Sequence, residues 1–126
     1  MENQKPLFLG FDLSTQQLKV IAVDGDLCIC EEEVVQFDEE LPEFGTNGGA
    51  QKHKDGLTVT VPTLLWVKAF DMLLEKLKTK RFRFKDVVCL SGTGQQHGSV
   101  YWKSDIRSML NNIDPKQCFS DQLKVI

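Results

Sequence analysis

Leu7-Phe8-Leu9-Gly10-Phe11-Asp12-Leu13-Ser14-Thr15-Gln16-Gln17-Leu18-Lys19-Val20-Ile21-Ala22-Val23-Asp24-Gly25-Asp26 is the stretch on which the fold turns. Residues 7–13 are apolar, partly aromatic and short, and Gly10 admits a close backbone approach, so they read as a buried strand. Residues 14–17 are polar and few enough for a tight turn. Residues 18–23 resume as a β-branched strand, and Asp24-Gly25-Asp26 is a strong turn signal. Residues 27–35 run apolar before ending in acids, which makes a third strand. Three strands joined by two short turns predict an antiparallel meander.

Outward from the meander, residues 36–57 are rich in breakers and polar groups, notably Pro42, Gly45, Asn47, Gly48 and Gly49, and read as one long loop. Loops of that length usually cover a site or touch something. Residues 58–78 then show helical periodicity, with Val61, Leu65, Ala69, Met72, Leu73 and Leu77 on one face. Thr60 is the expected cap, with Pro62 in the first turn. Trp66 and Phe70 widen the apolar stripe, and Lys76, Lys78 and Lys80 suit the negative end of the helix. Residues 86–91 (DVVCLS) are a compact apolar strand. A helix followed by a strand implies a crossover that lays this strand parallel to one of the meander. Residues 92–98 form a glycine-rich turn, 99–102 (SVYW) read as another strand, and the polar tail from 103 holds one helical turn near 106–110.

Composition narrows the class. A chain of 126 residues suits one domain with a single core. The net charge of −3 argues against a general nucleic-acid binder. No apolar run approaches the roughly 18 residues that cross a bilayer, and the first residues lack a signal-peptide pattern, so a cytoplasmic chain is expected. Cys28 and Cys30 are two apart on a reading as strand, their side chains leaving on opposite faces or one of them facing solvent; Cys89 and Cys118 are isolated. No spacing suits zinc, and free thiols are expected. Acids concentrate in residues 31–43 and bases in 76–85. Such runs can be partner sites, can face each other, or can simply be solvated, which is their usual meaning.

Two segments could carry chemistry. Around Asp12, a carboxylate at a strand end meets a turn with two hydroxyls (Ser14, Thr15) and two carboxamides (Gln16, Gln17). Backbone N–H groups converging at a tight turn can hold phosphate, and a nearby carboxylate can hold Mg²⁺. The plain alternative is a hairpin whose turn backbone bonds to Asp12, and on chemistry alone it is favoured; the G-x-x-x-x-G-K pattern is absent. The second segment is Ser91-Gly92-Thr93-Gly94-Gln95-Gln96-His97-Gly98, at the C-terminal end of a crossover strand, where ligands tend to bind. Two carboxamides and an imidazole offer donors and acceptors in both directions, as a polyol requires, and Tyr101 and Trp102 offer aromatic surface for a sugar. Here the binding reading is preferred over a self-satisfied turn, because long polar side chains in a glycine loop are costly to order. His53, between two lysines, reads as a solvated loop residue.

Together these segments resemble the N-terminus of the FGGY carbohydrate kinases, in the xylulose kinase branch. Residues 10–20 resemble the family's first phosphate hairpin; Leu41-Pro42-Glu43-Phe44-Gly45 with His53-Lys54-Asp55-Gly56-Leu57 resembles a loop typical of that branch; residues 91–99 resemble its sugar-contacting loop. The similarity runs from about residue 7 to about 120 and is most specific in the last motif.

The resemblance implies an α/β, ribonuclease-H-like (actin-like ATPase) N-terminal domain, incomplete, with a mixed sheet whose strands 1–3 are antiparallel. It implies residues 1–120 as a partial kinase domain and 121–126 as a divergent tail. The implied activity is ATP-dependent phosphorylation of D-xylulose to D-xylulose 5-phosphate. Asp12 would lie at the Mg²⁺–phosphate region, Ser14, Thr15 and Gln16 would line the hairpin, and His97 and Gln96 would contact the sugar. Ser14 stands where many members carry glycine, which matters if φ there is positive. The family's catalytic aspartate and second domain come from later in the chain, so the expectation is a truncated product, inactive alone. The other readings are a non-catalytic fragment that holds the sugar weakly or pairs with full-length kinase subunits, and a non-productive polypeptide whose core is incomplete.

Overall fold

In the computed structural model, which describes residues 5–123, the opening stretch forms β1 (Leu7–Leu13), β2 (Gln17–Val23) and β3 (Ile29–Gln36), paired antiparallel in sequence. The meander follows from alternation. Leu7 and Leu9 of β1, with Leu18, Val20 and Ala22 of β2, are buried toward one face. The intervening positions, among them Gly10, Asp12, Lys19 and Ile21, line an open groove of about 520 Å³ on the other. The turns close as the composition predicted: the Ser14 amide donates to the Gln17 carbonyl at 3.0 Å, and Asp24 Oδ1 accepts from the amides of Asp26 and Cys28.

The covering layer is α2 (Thr63–Thr79), which buries Leu65, Ala69, Leu73 and Leu77 against the sheet. These lie four residues apart, one stripe of an α-helix, and each of the three leucines contributes about 1.5–3 kcal/mol by leaving water. After the helix, a short 3-10 turn (Phe84–Asp86) leads into β6 (Val87–Gly94), which pairs parallel to β1. The sheet order is β3-β2-β1-β6. The mixed α/β sheet with an antiparallel first three strands and a parallel crossover strand is therefore as expected. No helix among the described residues is long and apolar enough to cross a membrane.

Four expectations are corrected. Residues 36–57 are not one irregular loop: α1 (Phe37–Glu40), a 3-10 turn (Pro42–Phe44) and a small hairpin of β4 (Gln51–Lys52) with β5 (Val59–Thr60) organise them. The reason is Phe37 and Leu41, both wholly buried in the core, which anchor a segment whose surface is otherwise polar. The helix begins at Thr63 rather than 58, because Thr60 is engaged in β5 and the backbone turns at Pro62, whose carbonyl accepts from the Leu65 amide. Residues 99–102 form no strand. Val100, Tyr101 and Trp102 are exposed, and a strand without a ladder partner leaves its backbone groups unpaired. Finally, Cys28 precedes β3, and both it and Cys30 are exposed; on one strand, residues two apart would share a face rather than oppose each other.

The two charged runs do face each other. Lys80 pairs with Glu31 at 3.0 Å and Glu33 at 2.9 Å, and Lys76 pairs with Glu40 and donates to the Val34 carbonyl at 2.7 Å. The acids of β3 thus meet the lysines at the end of α2, and Lys80 holds the carboxyls of Glu31 and Glu33 below their ordinary range.

The helical turn near 106–110 is present as α3 (Ile106–Asn111), and α4 (Phe119–Gln122) follows. The boundary between residues 120 and 121 falls inside α4, and Leu123 just beyond it is buried.

Candidate functional site

The parallel pairing of β1 with β6 decides what meets what. Asp12 stands opposite Thr93 and Leu13 opposite Gly94, in neighbouring strands about 4.8 Å apart. Both strands end at the same edge of the sheet. The turn at 14–17 leaves one and the loop from Gln95 leaves the other, so the two chemistry-bearing segments of the sequence emerge side by side. The glycine-rich segment is shorter than its composition suggested, because Gly92, Thr93 and Gly94 belong to β6 and only residues from Gln95 onward leave the sheet.

Asp12 is exposed, and among the described residues its carboxylate has neither a hydrogen-bond nor an ion-pair partner. The turn does not bond back to Asp12, so the plain-hairpin reading of that carboxylate does not hold. Lys19, beside it in the groove, is engaged by Glu32 at 2.6 Å. In the turn, Ser14 Oγ donates to the Gln17 carbonyl at 3.1 Å, which commits its proton locally. The backbone amides of Thr15 and Gln16 donate to nothing among the described residues, which leaves two donors at a tight turn available to an anion. The non-glycine residues with positive φ are Leu27 and Arg81, so Ser14 sits in ordinary backbone and nothing there demands glycine.

On the other side, Gln96 and His97 are exposed, and their side chains have no partner among the described residues. Gln95 is half-buried, with its carboxamide nitrogen enclosed and unbonded. Such a loop has not spent its polar groups on itself, which is what a polyol-binding loop requires. Tyr101 and Trp102 are exposed beyond it. His53 lies elsewhere, in the β4–β5 hairpin, where Nε2 is 2.8 Å from Thr60 Oγ1. No group of three or more metal-ligating side chains is found among the described residues. A lone unpartnered carboxylate such as Asp12 still fits Mg²⁺, which commonly keeps its waters and takes one or two carboxylates plus substrate phosphates.

Sequence reasoning missed one group of residues. The amide of Phe37 donates to the Gln16 carbonyl at 3.0 Å, and Gly49 is buried against the same turn: a Cβ built on it would lie 1.9 Å from the Thr15 carbonyl oxygen. Asp38 gathers the segment, accepting from Thr46 Oγ1 at 2.7 Å, the Gly48 amide at 2.6 Å and the Gly49 amide at 3.1 Å. The Thr46 hydroxyl foremost, with the two amides, holds its carboxyl below the ordinary aspartate value. The available signal is the Gly48-Gly49 pair, which composition alone presents only as a breaker.

No family model matches the chain. Xylulose kinase of Rattus norvegicus is 53% identical over 116 residues, which is 92% of this chain and 22% of that protein. Xylulose kinase of Saccharomyces cerevisiae is 43% identical over 109 residues, covering 86% of this chain and 18% of that protein. The chain thus spans about a fifth of the length of the curated relatives it matches. A solved Aquifex aeolicus member of the Ppx/GppA family covers 69% of this chain and 25% of its own, with TM-score 0.33 and 14% identity. The similarity expected from about residue 7 to about 120 agrees with the share of this chain that these relatives cover.

Proposed function

We propose that this chain is the first-domain portion of a cytoplasmic xylulose kinase of the FGGY type, with residues 1–120 a partial N-terminal domain and 121–126 a divergent tail. The longer protein would transfer the terminal phosphoryl group of ATP to D-xylulose, giving D-xylulose 5-phosphate. The observation that carries the reading is the emergence of the 14–17 turn and the 95–98 loop from adjacent, parallel strand ends. One segment offers free amides for phosphate and the other offers free carboxamide and imidazole groups for hydroxyls, so donor and acceptor of the phosphoryl group would sit on one sheet edge.

In this reading the amides of Thr15 and Gln16 hold phosphate oxygens, with Ser14 bracing the turn through Gln17. Asp12 holds Mg²⁺, which when bound offsets the phosphate charge. His97 and Gln96 hydrogen-bond sugar hydroxyls and orient the sugar toward the turn. Phosphoryl transfer depends chiefly on positioning and electrostatic stabilisation. The group that takes the proton from the attacking hydroxyl is assigned to the remaining length of the longer relatives, and the chain alone is expected to be inactive.

A second reading, a sugar-binding or interaction fragment that pairs with full-length kinase subunits, draws on the outer edge of β6, where Val88 and Leu90 are each more than 60% exposed. Titration of the ¹⁵N-labelled chain with D-xylulose, with glycerol as control, tests the proposal. Xylulose-selective shifts at residues 95–98, abolished in His97→Ala, are expected. A folded chain that ignores xylulose, or that answers glycerol equally, would sink the sugar assignment.

A further inference from the structure

We infer that Asp38 is a positioning residue for the 14–17 turn, acting through the backbone of Gly48 and Gly49. The inference rests on the phosphate reading of that turn for its functional meaning, but its structural content stands alone. A two-stranded turn of four residues has few internal restraints: here one backbone bond and the Ser14 hydroxyl, both to the Gln17 carbonyl. Its free amides at Thr15 and Gln16 can serve an anion only if something else fixes their direction.

β3 holds the far end of the turn through the Gln36 carboxamide on Gln17 Oε1 at 2.7 Å, but Thr15 and Gln16 themselves are fixed by two other contacts, both from the segment that follows β3. The first is the Phe37 amide on the Gln16 carbonyl, held from behind by the buried Phe37 ring. The second is Gly49, whose α-carbon is so close to Thr15 that no side chain fits between them. Gly49 has φ of 80° and Gly48 of 63°, a left-handed run that residues with side chains rarely adopt. That run needs a reason to persist, and the Asp38 carboxylate supplies it by accepting both amides and the Thr46 hydroxyl. Asp38 is one residue from Phe37, so a single short helix, α1, presents the first contact to the turn and holds the second in place. The carboxylate touches neither phosphate nor sugar in this arrangement; it sets the wall against which the turn rests.

The test uses the whole ¹⁵N-labelled chain and two readouts: amide exchange at Phe37 compared with Val20 in the sheet core, and shifts of the Thr15 and Gln16 amides on adding inorganic pyrophosphate. In Asp38→Asn, the expected result is Phe37 exchange faster by about tenfold with Val20 unchanged, and pyrophosphate affinity at Thr15 and Gln16 weaker by about tenfold. Thr46→Val, which removes one of the three bonds to Asp38, serves if Asp38→Asn does not fold, and a smaller change in the same direction is expected. Unchanged exchange and shifts in the variant, or equal acceleration at Phe37 and Val20, would overturn the inference. If the native chain itself ignores pyrophosphate while Asp38→Asn still loosens Phe37, the phosphate reading fails and the positioning role survives without it.

Discussion

Gly48 and Gly49 are adjacent, both have positive φ, and both bond to Asp38, yet their surroundings differ. A Cβ on Gly48 would meet nothing within 4 Å, whereas on Gly49 it would lie 1.9 Å from the Thr15 carbonyl oxygen, 2.7 Å from its carbon and 3.0 Å from the Gln16 α-carbon. Alanine at either position carries the left-handed penalty of about 1–2 kcal/mol. Only Gly49→Ala adds an overlap with backbone, which cannot rotate away as a side chain could, and overpacking of this kind typically costs about 1–3 kcal/mol more. Gly49→Ala should therefore destabilise by about 2–5 kcal/mol and Gly48→Ala by about 1–2. With a urea slope of about 1.5 kcal/mol/M, the extra cost of about 1–3 kcal/mol should separate the two midpoints by about 0.7–2 M. Equilibrium urea unfolding followed by tryptophan fluorescence would measure both. Coincident midpoints for the two variants would show that Gly49 is chosen for its dihedral alone, and the contact with the 14–17 turn would lose its support.

Leu73→Ala should cost about 2–5 kcal/mol in the same assay, since Leu73 is wholly enclosed between α2 and the sheet; a loss below about 1 kcal/mol would contradict that packing. Lys80→Met should flatten the dependence of stability on pH at both ends. Glu31 and Glu33 have folded-state pKa values lowered chiefly by Lys80, so their contribution is present above the ordinary carboxylate value and is lost as pH falls through the folded values. Lys80 is raised chiefly by Glu33, so its contribution is present below the ordinary lysine value and is lost as pH climbs through the folded one. Identical pH profiles for native chain and variant would rule this linkage out, and added salt should weaken it. All 4 cysteines are exposed and unpaired, so a thiol reagent should titrate 4 equivalents without denaturant; fewer would mean that one of these thiols is covered in solution.

Local chemistry determined much of this molecule in advance. The Leu7–Val23 alternation and the two polar turns specify a meander because strand period and turn residues act over a few neighbours. The stripe Leu65, Ala69, Leu73 and Leu77 specifies a helix for the same reason. The chemical character of the 14–17 turn and of Gln96 and His97 was also readable, because it belongs to the residue types themselves. Their meeting was inferable only as a crossover; the register Asp12 with Thr93 that brings the two segments to one edge is a property of the sheet. The segment between β3 and α2 was illegible as structure. Its order depends on Phe37 and Leu41 finding a core made by residues distant in the chain, and on Asp38 gathering amides ten and eleven residues away. Conversely, SVYW at 99–102 has strand propensity but no partner, and the structure leaves it unpaired. Propensity is local and can be read along a chain; a ladder bond or a Gly49–Thr15 contact requires two segments to arrive together, and only the tertiary fold decides that.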